Sequence, residues 1–208
     1  MSASANSLVA AIVSPQPEVA QAFIERLSGA GAKNGLVDLS HQMHVVVEIP
    51  AAEPEETFVA QVKSADFSVM LLRFVDEATL NVARAMLRML PASVQGRIHF
   101  VLAREPGELE FKLSCPQCGQ KLMIKDALAF RRTQCPRCKH PFTIPGQTDL
   151  VRRELLIPAN HNIGRVDLGD QESCLNALRN AYRQAGGARP EEKSTTMRLD
   201  DLLPGDVG

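Results

Sequence analysis

Four cysteines in the middle of the chain constrain its folding more than any other feature. They form two Cys-x-x-Cys pairs, Cys115/Cys118 and Cys135/Cys138, which sixteen residues separate. Each pair can offer two thiolates from one tight turn, and the segment between the pairs can form a hairpin that brings the two turns together. Four thiolates complete the tetrahedral shell of Zn²⁺ and leave no position for water or a substrate. The spacing therefore predicts one structural zinc ion and argues against catalysis at the metal.

The sequence around these cysteines resembles the zinc ribbon superfamily, in the form whose turns read CPxCG and CPxC. The resemblance covers about residues 111–146 and implies short strands at Lys121–Ile124 and Pro141–Ile144. Gly119 follows the first pair, where the backbone of such a turn favours a positive φ that glycine tolerates. The second pair departs from the pattern because Lys139 stands in that place, and a lysine adopts this conformation at a modest cost.

A redox dithiol or a set of unrelated cysteines is the alternative to a zinc site, and neither explains the ligand spacing as well. His140 offers an imidazole beside the second pair, but four thiolates already suffice. Cys174 is the one cysteine outside the pairs, so no disulfide framework is available. A chain of this kind is typical of a reducing compartment, and we expect it in the cytoplasm.

The composition is that of an ordinary water-soluble domain with or without one small module. The chain has 208 residues, of which 45% are hydrophobic, and a net charge of −1. No apolar run is long enough to cross a bilayer, so we expect no membrane insertion. The first residues lack a basic region followed by a long apolar stretch, so we expect no signal peptide.

Charge is distributed unevenly along the chain. Residues 1–110 carry a balance of −5 and residues 148–208 a balance of −2, whereas residues 111–147 hold seven Lys or Arg and one acidic residue, a balance of +6. A zinc–tetrathiolate centre contributes about −2 and leaves this segment basic. Six basic side chains are therefore candidates for contacting a partner: Lys121, Lys125, Arg131, Arg132, Arg137 and Lys139.

Strand-like and helix-like segments alternate on both sides of the cysteines. Strands are predicted at Leu8–Val13, Gly35–Leu39, Met43–Ile49, Phe67–Phe74, Ile98–Ala103 and Ile163–Leu168, and helices from Pro17, over Pro54–Lys63, after Asp76, over Asp149–Leu156 and after Asp170. This order predicts a three-layer α/β fold, with a mostly parallel sheet covered by helices on both faces. We expect one discontinuous domain over residues 7–110 and 148–186, an inserted zinc ribbon over 111–147, and a disordered tail over 187–208.

The order of these elements is similar to that of small Ras-like GTPases, over roughly residues 7–110 and 148–186. The chemistry of that family is missing. A phosphate-binding loop needs glycines and a lysine after the first strand, but Ser14–Val19 has neither and carries a glutamate. The base-reading motif N-K-x-D is also absent after the Ile98–Ala103 strand, where Arg104–Gly107 stands. We therefore expect a degenerate core with no nucleotide.

Bacterial receiver domains and some adenylate kinases are the other α/β families that this chain resembles in part. A bacterial receiver domain needs acidic residues after its first strand to hold magnesium, but that strand is followed by Ser14. A degenerate receiver-like core stays open, because element order alone separates the two folds poorly. Some adenylate kinases carry a similar zinc-binding lid, but they also require the missing glycine-rich loop.

Several isolated residues carry weaker signals. His41 and His44 lack a neighbouring carboxylate or thiolate, so we interpret them as part of a turn rather than a metal site. His99 and Cys174 fall in apolar patterns and are interpreted as packed core residues. In the tail, Thr195 and Thr196 precede a leucine-rich acidic stretch that could dock on a partner or be phosphorylated.

Three hypotheses for the function follow. The favoured one is a non-enzymatic adaptor or regulatory protein whose zinc ribbon contacts a protein partner. The second is a nucleic-acid-binding regulator, for which stacking aromatics are scarce, since Phe130 and Phe142 are the only ones near the basic residues. The third is an enzyme with an unrecognised site on the α/β core, which a polar cleft at the carboxyl ends of the strands would support.

Overall fold

A six-stranded sheet forms the centre of the computed structural model, which describes residues 8–30, 34–40, 43–51, 53, 55–73, 75–105 and 110–186. The strands are β1 (Leu8–Val13), β2 (Asn34–Ser40), β3 (Met43–Glu48), β4 (Phe67–Leu72), β5 (Ile98–Arg104), β6 (Glu110–Ser114), β7 (Lys121–Lys125), β8 (Arg132–Gln134), β9 (Pro141–Thr143) and β10 (Ile163–Asp167). The large sheet has the order β10-β5-β4-β1-β3-β2. Its neighbouring strands are parallel except for β2 and β3, which form the predicted antiparallel hairpin.

Helices cover both faces of this sheet. They are α1 (Pro17–Ser28), α2 (Glu55–Ser64), α3 (Glu77–Met89), α4 (Ala92–Gln95), α5 (Gln147–Glu154) and α6 (Gln171–Gln184). Buried side chains of α1 and α6 pack on one face, and those of α2, α3, α4 and α5 pack on the other. The predicted α/β class with a mostly parallel sheet is confirmed. None of the helices in the described part of the chain has the length and apolarity needed to cross a membrane.

The continuous apolar runs form strands that are buried on both faces. In β1, Ala10 and Ile12 belong to the core cluster under α1 and α6, whereas Ala11 and Val13 belong to the opposite cluster. All six residues of β4 are buried in the same manner. A strand between two helical layers has no polar side, which explains why these segments read as unbroken hydrophobic runs.

Capping residues set the predicted helix ends, with one addition. Asp76 accepts a hydrogen bond from the Thr79 N–H at 2.9 Å and begins α3, and Asp170 begins α6 in the same way. Pro91 ends α3 as expected, but its carbonyl also accepts from the Val94 N–H at 2.9 Å and begins the unpredicted α4. The fixed φ of proline suits a helix start, so one residue serves both purposes.

The loop after β1 satisfies its own polar groups. Ser14 Oγ donates to the Leu71 carbonyl at 2.9 Å and accepts from the Gln16 N–H at 3.1 Å. The Gln16 side chain accepts from the Arg73 N–H at 3.1 Å. These bonds hold the loop with side chains, where a phosphate-binding loop would present free backbone N–H groups.

Candidate metal centre

Two short hairpins, β6–β7 and β8–β9, each carry one cysteine pair at their turn. We call them the cysteine hairpins. Ser114 pairs with Lys121 beside the first turn, and Gln134 pairs with Pro141 beside the second. The expectation that the segment between the pairs forms a hairpin is wrong, because β7 pairs with β6 and β8 pairs with β9. Each Cys-x-x-Cys turn reverses the chain by itself, so each pair closes a hairpin of its own.

The two turns have the same backbone structure. Cys115 N–H donates to the Gln120 carbonyl at 2.9 Å, and Cys135 N–H donates to the His140 carbonyl at 3.0 Å. The residue after each pair has a positive φ, which is 69° at Gly119 and 60° at Lys139. The departure from glycine at the second turn therefore leaves its geometry intact, at a cost of roughly 1–2 kcal/mol for a left-handed non-glycine residue.

The turns bring the four predicted ligands together. The Sγ atoms of Cys115, Cys118, Cys135 and Cys138 all lie within 4.8 Å of one another. Cys115 Sγ is 3.7 Å from Cys138 Sγ, and Cys118 Sγ is 3.7 Å from Cys135 Sγ. A tetrahedron with Zn–S bonds of about 2.3 Å has edges of about 3.8 Å, whereas a disulfide needs about 2.05 Å. The spacing thus fits a tetrahedral metal and not a disulfide pair, and His140 is not part of the group.

Cys135 and Cys138 have opposite preferences for the thiolate form. Hydrogen bonds from the backbone N–H groups of Cys138 and Arg137 oppose the effect of burial and lower the pKa of Cys135 to about 6. The backbone of His140 favours the thiolate of Cys138, but burial and the neighbouring sulfur atoms raise the pKa of Cys138 to about 12. This pair thus favours a thiolate at Cys135 beside a thiol at Cys138, and a divalent cation held by the sulfur atoms would supply the positive charge that allows both to ionise.

The apolar interior of the cysteine hairpins is small. Phe111, Ile124 and Ile144 are buried together, and Leu113, Leu122 and Phe142 pack partly buried against them. A cluster of this size buries little surface compared with the two clusters of the large sheet. Units this small are usually held by metals or disulfides in addition to their core.

Asp126 connects the cysteine hairpins to the large sheet. It lies in a 3-10 turn, Asp126–Leu128, that follows β7. Its Oδ2 accepts from Arg104 Nη2 at 2.9 Å and from Arg165 Nη1 at 3.2 Å, and Arg104 Nη2 also donates to Gln147 Oε1 at 3.0 Å. Partial burial raises the pKa of Asp126, but the two arginines outweigh it and hold the pKa below its usual value of 3.8. The one acidic residue of the basic segment is thus an ionised tether to β5 and β10.

Replacing Asp126 with alanine is expected to lower the free energy of unfolding by about 1–3 kcal/mol, because Arg104 is left partly buried without its counter-charge. Urea denaturation followed by circular dichroism measures the change. Glu110→Ala is the control, since Glu110 is exposed on β6 and its loss should cost within about 0.5 kcal/mol. Equal losses in both variants would show that the tether contributes nothing specific.

The six predicted contact residues are all exposed on the cysteine hairpins: Lys121, Lys125, Arg131, Arg132, Arg137 and Lys139. Among the residues that the structure describes, none of the six has an ion-pair partner. Lys112, by contrast, lies 3.3 Å from Asp76 of the core. The positive charge of this surface is therefore uncompensated within the described chain.

A cavity of about 280 Å³ lies between β6–β7 and the helices α3 and α5. Four of its charged groups form two pairs: Lys112 with Asp76 at 3.3 Å, and Arg84 Nη2 with Glu154 Oε2 at 2.7 Å. Partial burial raises the pKa of Asp76, but hydrogen bonds from Thr79 and Lys112 lower it further than burial raises it. The carboxylate is ionised at neutral pH and occupied by its partners, so it is poorly placed for proton transfer. The enzyme hypothesis stays a prediction.

Two of the isolated residues, His99 and Cys174, are packed in the core as expected. His99 is buried, and its Nδ1 lies 2.5 Å from Gln184 Oε1. Cys174 is fully buried, and burial raises its pKa to about 12, so the thiol is unreactive at neutral pH. His44 lies in β3 rather than in the expected turn, and its Nδ1 is 2.5 Å from Asp38 Oδ1. It belongs to no group of three or more potential metal ligands among the described residues, and His41 lies outside those residues.

The sequence indicated Phe130 only as one of two aromatic residues near the basic ones, and it did not predict the conformation or the exposure of this side chain. Phe130 has a φ of 67° and is 69% exposed, although aromatic residues rarely adopt the left-handed conformation. Its N–H donates to the Ile144 carbonyl at 2.7 Å, which fixes the turn. No sequence signal announces a positive φ at a phenylalanine. Within residues 111–147, Phe130 follows Asp126, the one acidic residue of this segment, and directly precedes Arg131 and Arg132. This position is the one sequence signal that could have drawn attention to it.

The geometry of the four cysteines is the firmest indication of what this chain binds. It rests on the turns, the sulfur distances and the all-sulfur ligand set, which together are compatible with one zinc ion. The basic residues and the exposed Phe130 lie on the cysteine hairpins or in the segment that joins them. No known protein family and no curated protein matches the sequence of this chain.

Proposed function

We propose that this chain is a zinc-binding adaptor or regulatory protein. In this proposal residues 111–147 are a zinc ribbon that holds a basic protein-contact surface, and the α/β core is a platform without catalytic activity. The observation that carries the proposal is the four-sulfur group at tetrahedral spacing. Zinc in such a closed site fixes the two turns, and with them the positions of the surrounding Lys and Arg side chains.

The sheet order supports a Ras-like platform over a receiver-like one. In flavodoxin-like folds such as receivers, the strand order is 2-1-3-4-5, so the first strand lies beside the second. Here β1 lies between β3 and β4, and β2 is an antiparallel edge strand. The Ser14–Gln16 loop is held by hydrogen bonds to Leu71 and Arg73 and by one within the loop. This arrangement supports a platform without nucleotide chemistry.

A protein partner is favoured because apolar side chains accompany the exposed charges. Met123 is 55% exposed, Phe130 is 69% exposed and Leu128 is 38% exposed, all on or between the cysteine hairpins. Interfaces between proteins combine aromatic, Met and Arg side chains in this way. Zinc would keep these groups in a fixed arrangement on a small surface.

The test compares binding of cellular proteins by the full chain and by two variants. Arg131→Glu/Arg132→Glu reverses the charge of the contact surface and keeps the cysteines, and it should lose the captured partner at unchanged zinc content. The control Arg88→Glu/Arg183→Glu reverses two exposed arginines of the core and should retain the partner. A partner that tolerates the ribbon variant and leaves with the core variant would contradict the proposal.

Nucleic-acid binding is the second candidate, since one exposed aromatic ring stands beside Arg131 and Arg132. It predicts that a fluorescent single-stranded RNA binds with an affinity that falls steeply with salt, because each phosphate contact releases counterions. Fluorescence anisotropy at several salt concentrations measures this. Binding that ignores salt, or that survives Arg131→Glu/Arg132→Glu, would eliminate this candidate.

A further inference from the structure

Residues 128–132 run from the end of the 3-10 turn after β7 to the first residue of β8 and present exposed side chains that are both apolar and basic. We call residues 128–132 the basic-apolar turn. Leu128 and Phe130 expose 38% and 69% of their surface, and Arg131 and Arg132 are exposed without an ion-pair partner among the described residues. Exposed aromatic and leucine side chains beside unpaired arginines favour an occupant that brings both apolar groups and carboxylates.

The backbone presents this turn rigidly. Phe130 N–H donates to the Ile144 carbonyl at 2.7 Å, Ile144 N–H donates to the Arg131 carbonyl at 3.0 Å, and Arg131 N–H donates to the Leu128 carbonyl at 3.1 Å. The ring edge of Phe130 lies so close to Gly146 that a Cβ there would stand 2.8 Å from Phe130 Cζ. The backbone of Phe130 is fixed by these bonds and its ring lies against Gly146, so this side chain loses little conformational freedom on binding. Low loss of freedom favours Phe130 as an anchor.

The chain itself contains a segment of complementary chemistry. Residues 187–208 lie outside the described residues, and within them Leu199-Asp200-Asp201-Leu202-Leu203 combines three leucines with two adjacent aspartates. Residues 199–208 hold three aspartates and no basic residue. The basic-apolar turn offers two arginines and two apolar side chains within a stretch of the same length. Leucines can cover Leu128 and Phe130 while the carboxylates face the arginines.

Contacts within the fold set an upper limit on the distance between the end of α6 and the basic-apolar turn. Gln184, near the end of α6, contacts His99 at the start of β5. From there β5 runs about 17 Å to Arg104. Arg104 bonds Asp126, and Phe130 lies at most about 14 Å beyond Asp126 along the chain.

The residues after α6 are long enough for this path. An extended chain from Gly186 to Leu202 spans about 53 Å. That length exceeds the path along β5 and the turn by about 20 Å, which is enough for the side-chain contacts along it. The chain is therefore long enough for docking within one molecule.

We propose that residues Leu199–Leu203 dock on the basic-apolar turn of the same chain and cover it until a partner displaces them. This inference rests on the proposed function, since the covered surface is the proposed contact surface. Tethering supplies an effective concentration in the millimolar range, so even a weak contact keeps the turn occupied. A competing partner must then bind more tightly than it would to an uncovered turn.

The test uses full-length chains and a fluorescent synthetic peptide of residues 195–208. Asp200→Lys/Asp201→Lys in the full chain should release the segment and free the turn. The peptide should then bind this variant at least about tenfold more tightly than it binds the wild-type chain, whose turn is occupied. Adding Arg131→Glu/Arg132→Glu to the released chain should abolish binding of this peptide. In a chain that carries only Arg131→Glu/Arg132→Glu, the aspartates of its own tail are repelled, so a peptide with Asp200→Lys/Asp201→Lys should bind the free turn. Phe130→Asn, which tolerates a positive φ, should weaken binding without loss of zinc.

Each outcome decides the inference. Equal binding of the peptide to the wild-type and released chains overturns the covering of the turn, and absence of binding to both overturns the docking. Binding that is indifferent to Arg131→Glu/Arg132→Glu places the contact elsewhere and also overturns it. None of these results bears on the proposed function, because the capture of a partner by the ribbon is measured separately with zinc-loaded protein.

Discussion

Replacing Cys135 and Cys138 with serine is expected to reduce bound zinc from one ion per chain to less than about a tenth, and to unfold residues 110–146. Two thiolates from one turn cannot complete a tetrahedral shell, so the metal leaves. The cysteine hairpins then depend on the buried Phe111, Ile124 and Ile144 alone. Such a cluster is too small to offset the conformational entropy of ordering two hairpins.

The large sheet should survive this loss. Its two core clusters lie under α1 and α6 on one face and under the other helices on the opposite face, and none of the four paired cysteines belongs to either cluster. The tether through Asp126 would be lost, at a cost of about 1–3 kcal/mol to the remaining fold. Hydrogen exchange should therefore show lost protection in β6 to β9 and retained protection in β1, β4 and β5.

Zinc is measured by elemental analysis of reduced, purified protein, and protection by hydrogen exchange with mass spectrometry. Cys174→Ala is the matched control, since Cys174 is buried in α6 and does not belong to the sulfur group. It should keep one zinc and protected hairpins. Full zinc content in the double variant, or sub-stoichiometric zinc in the wild-type chain, would refute the assignment of the site.

The features predicted well from the sequence are local ones. The cysteine turns are short, and their spacing defines both the ligand set and the positive φ after each pair. The caps at Asp76 and Asp170 bond to N–H groups within three residues, so the local sequence is enough to predict them. Strands that helices cover on both faces can be recognised in the sequence as continuous apolar runs.

The features that were missed depend on contacts between distant residues. The strand-like residues around the cysteines are compatible with one hairpin between the two pairs or with a separate hairpin around each pair. Only the observed pairing of β7 with β6 distinguishes these arrangements. The Asp126 tether joins residues far apart in the chain, and no pattern marks Arg104 and Arg165 as its partners. The conformation of Phe130 is likewise imposed by its bond to Ile144 and not by its own preference.

Phe111→Ala is expected to weaken zinc binding by about 100- to 4000-fold although all four ligands remain. Phe111 is fully buried and is the largest side chain of the small cluster in the cysteine hairpins. Truncating a buried phenylalanine costs about 3–5 kcal/mol. If the hairpins fold only with the metal, this cost is subtracted from the free energy of zinc binding, and each 1.4 kcal/mol is about tenfold in affinity.

Competition with a chelator of known zinc affinity, at fixed pH, measures the change. Met123→Ala is the control, because Met123 lies on the exposed side of β7 in the same sheet as Phe111, and its truncation should leave the affinity within about threefold. A Phe111→Ala chain that loses stability but keeps its zinc affinity would mean that the hairpins are ordered before the metal arrives. Zinc would then occupy a preformed site, and the basic surface would hold its shape without it.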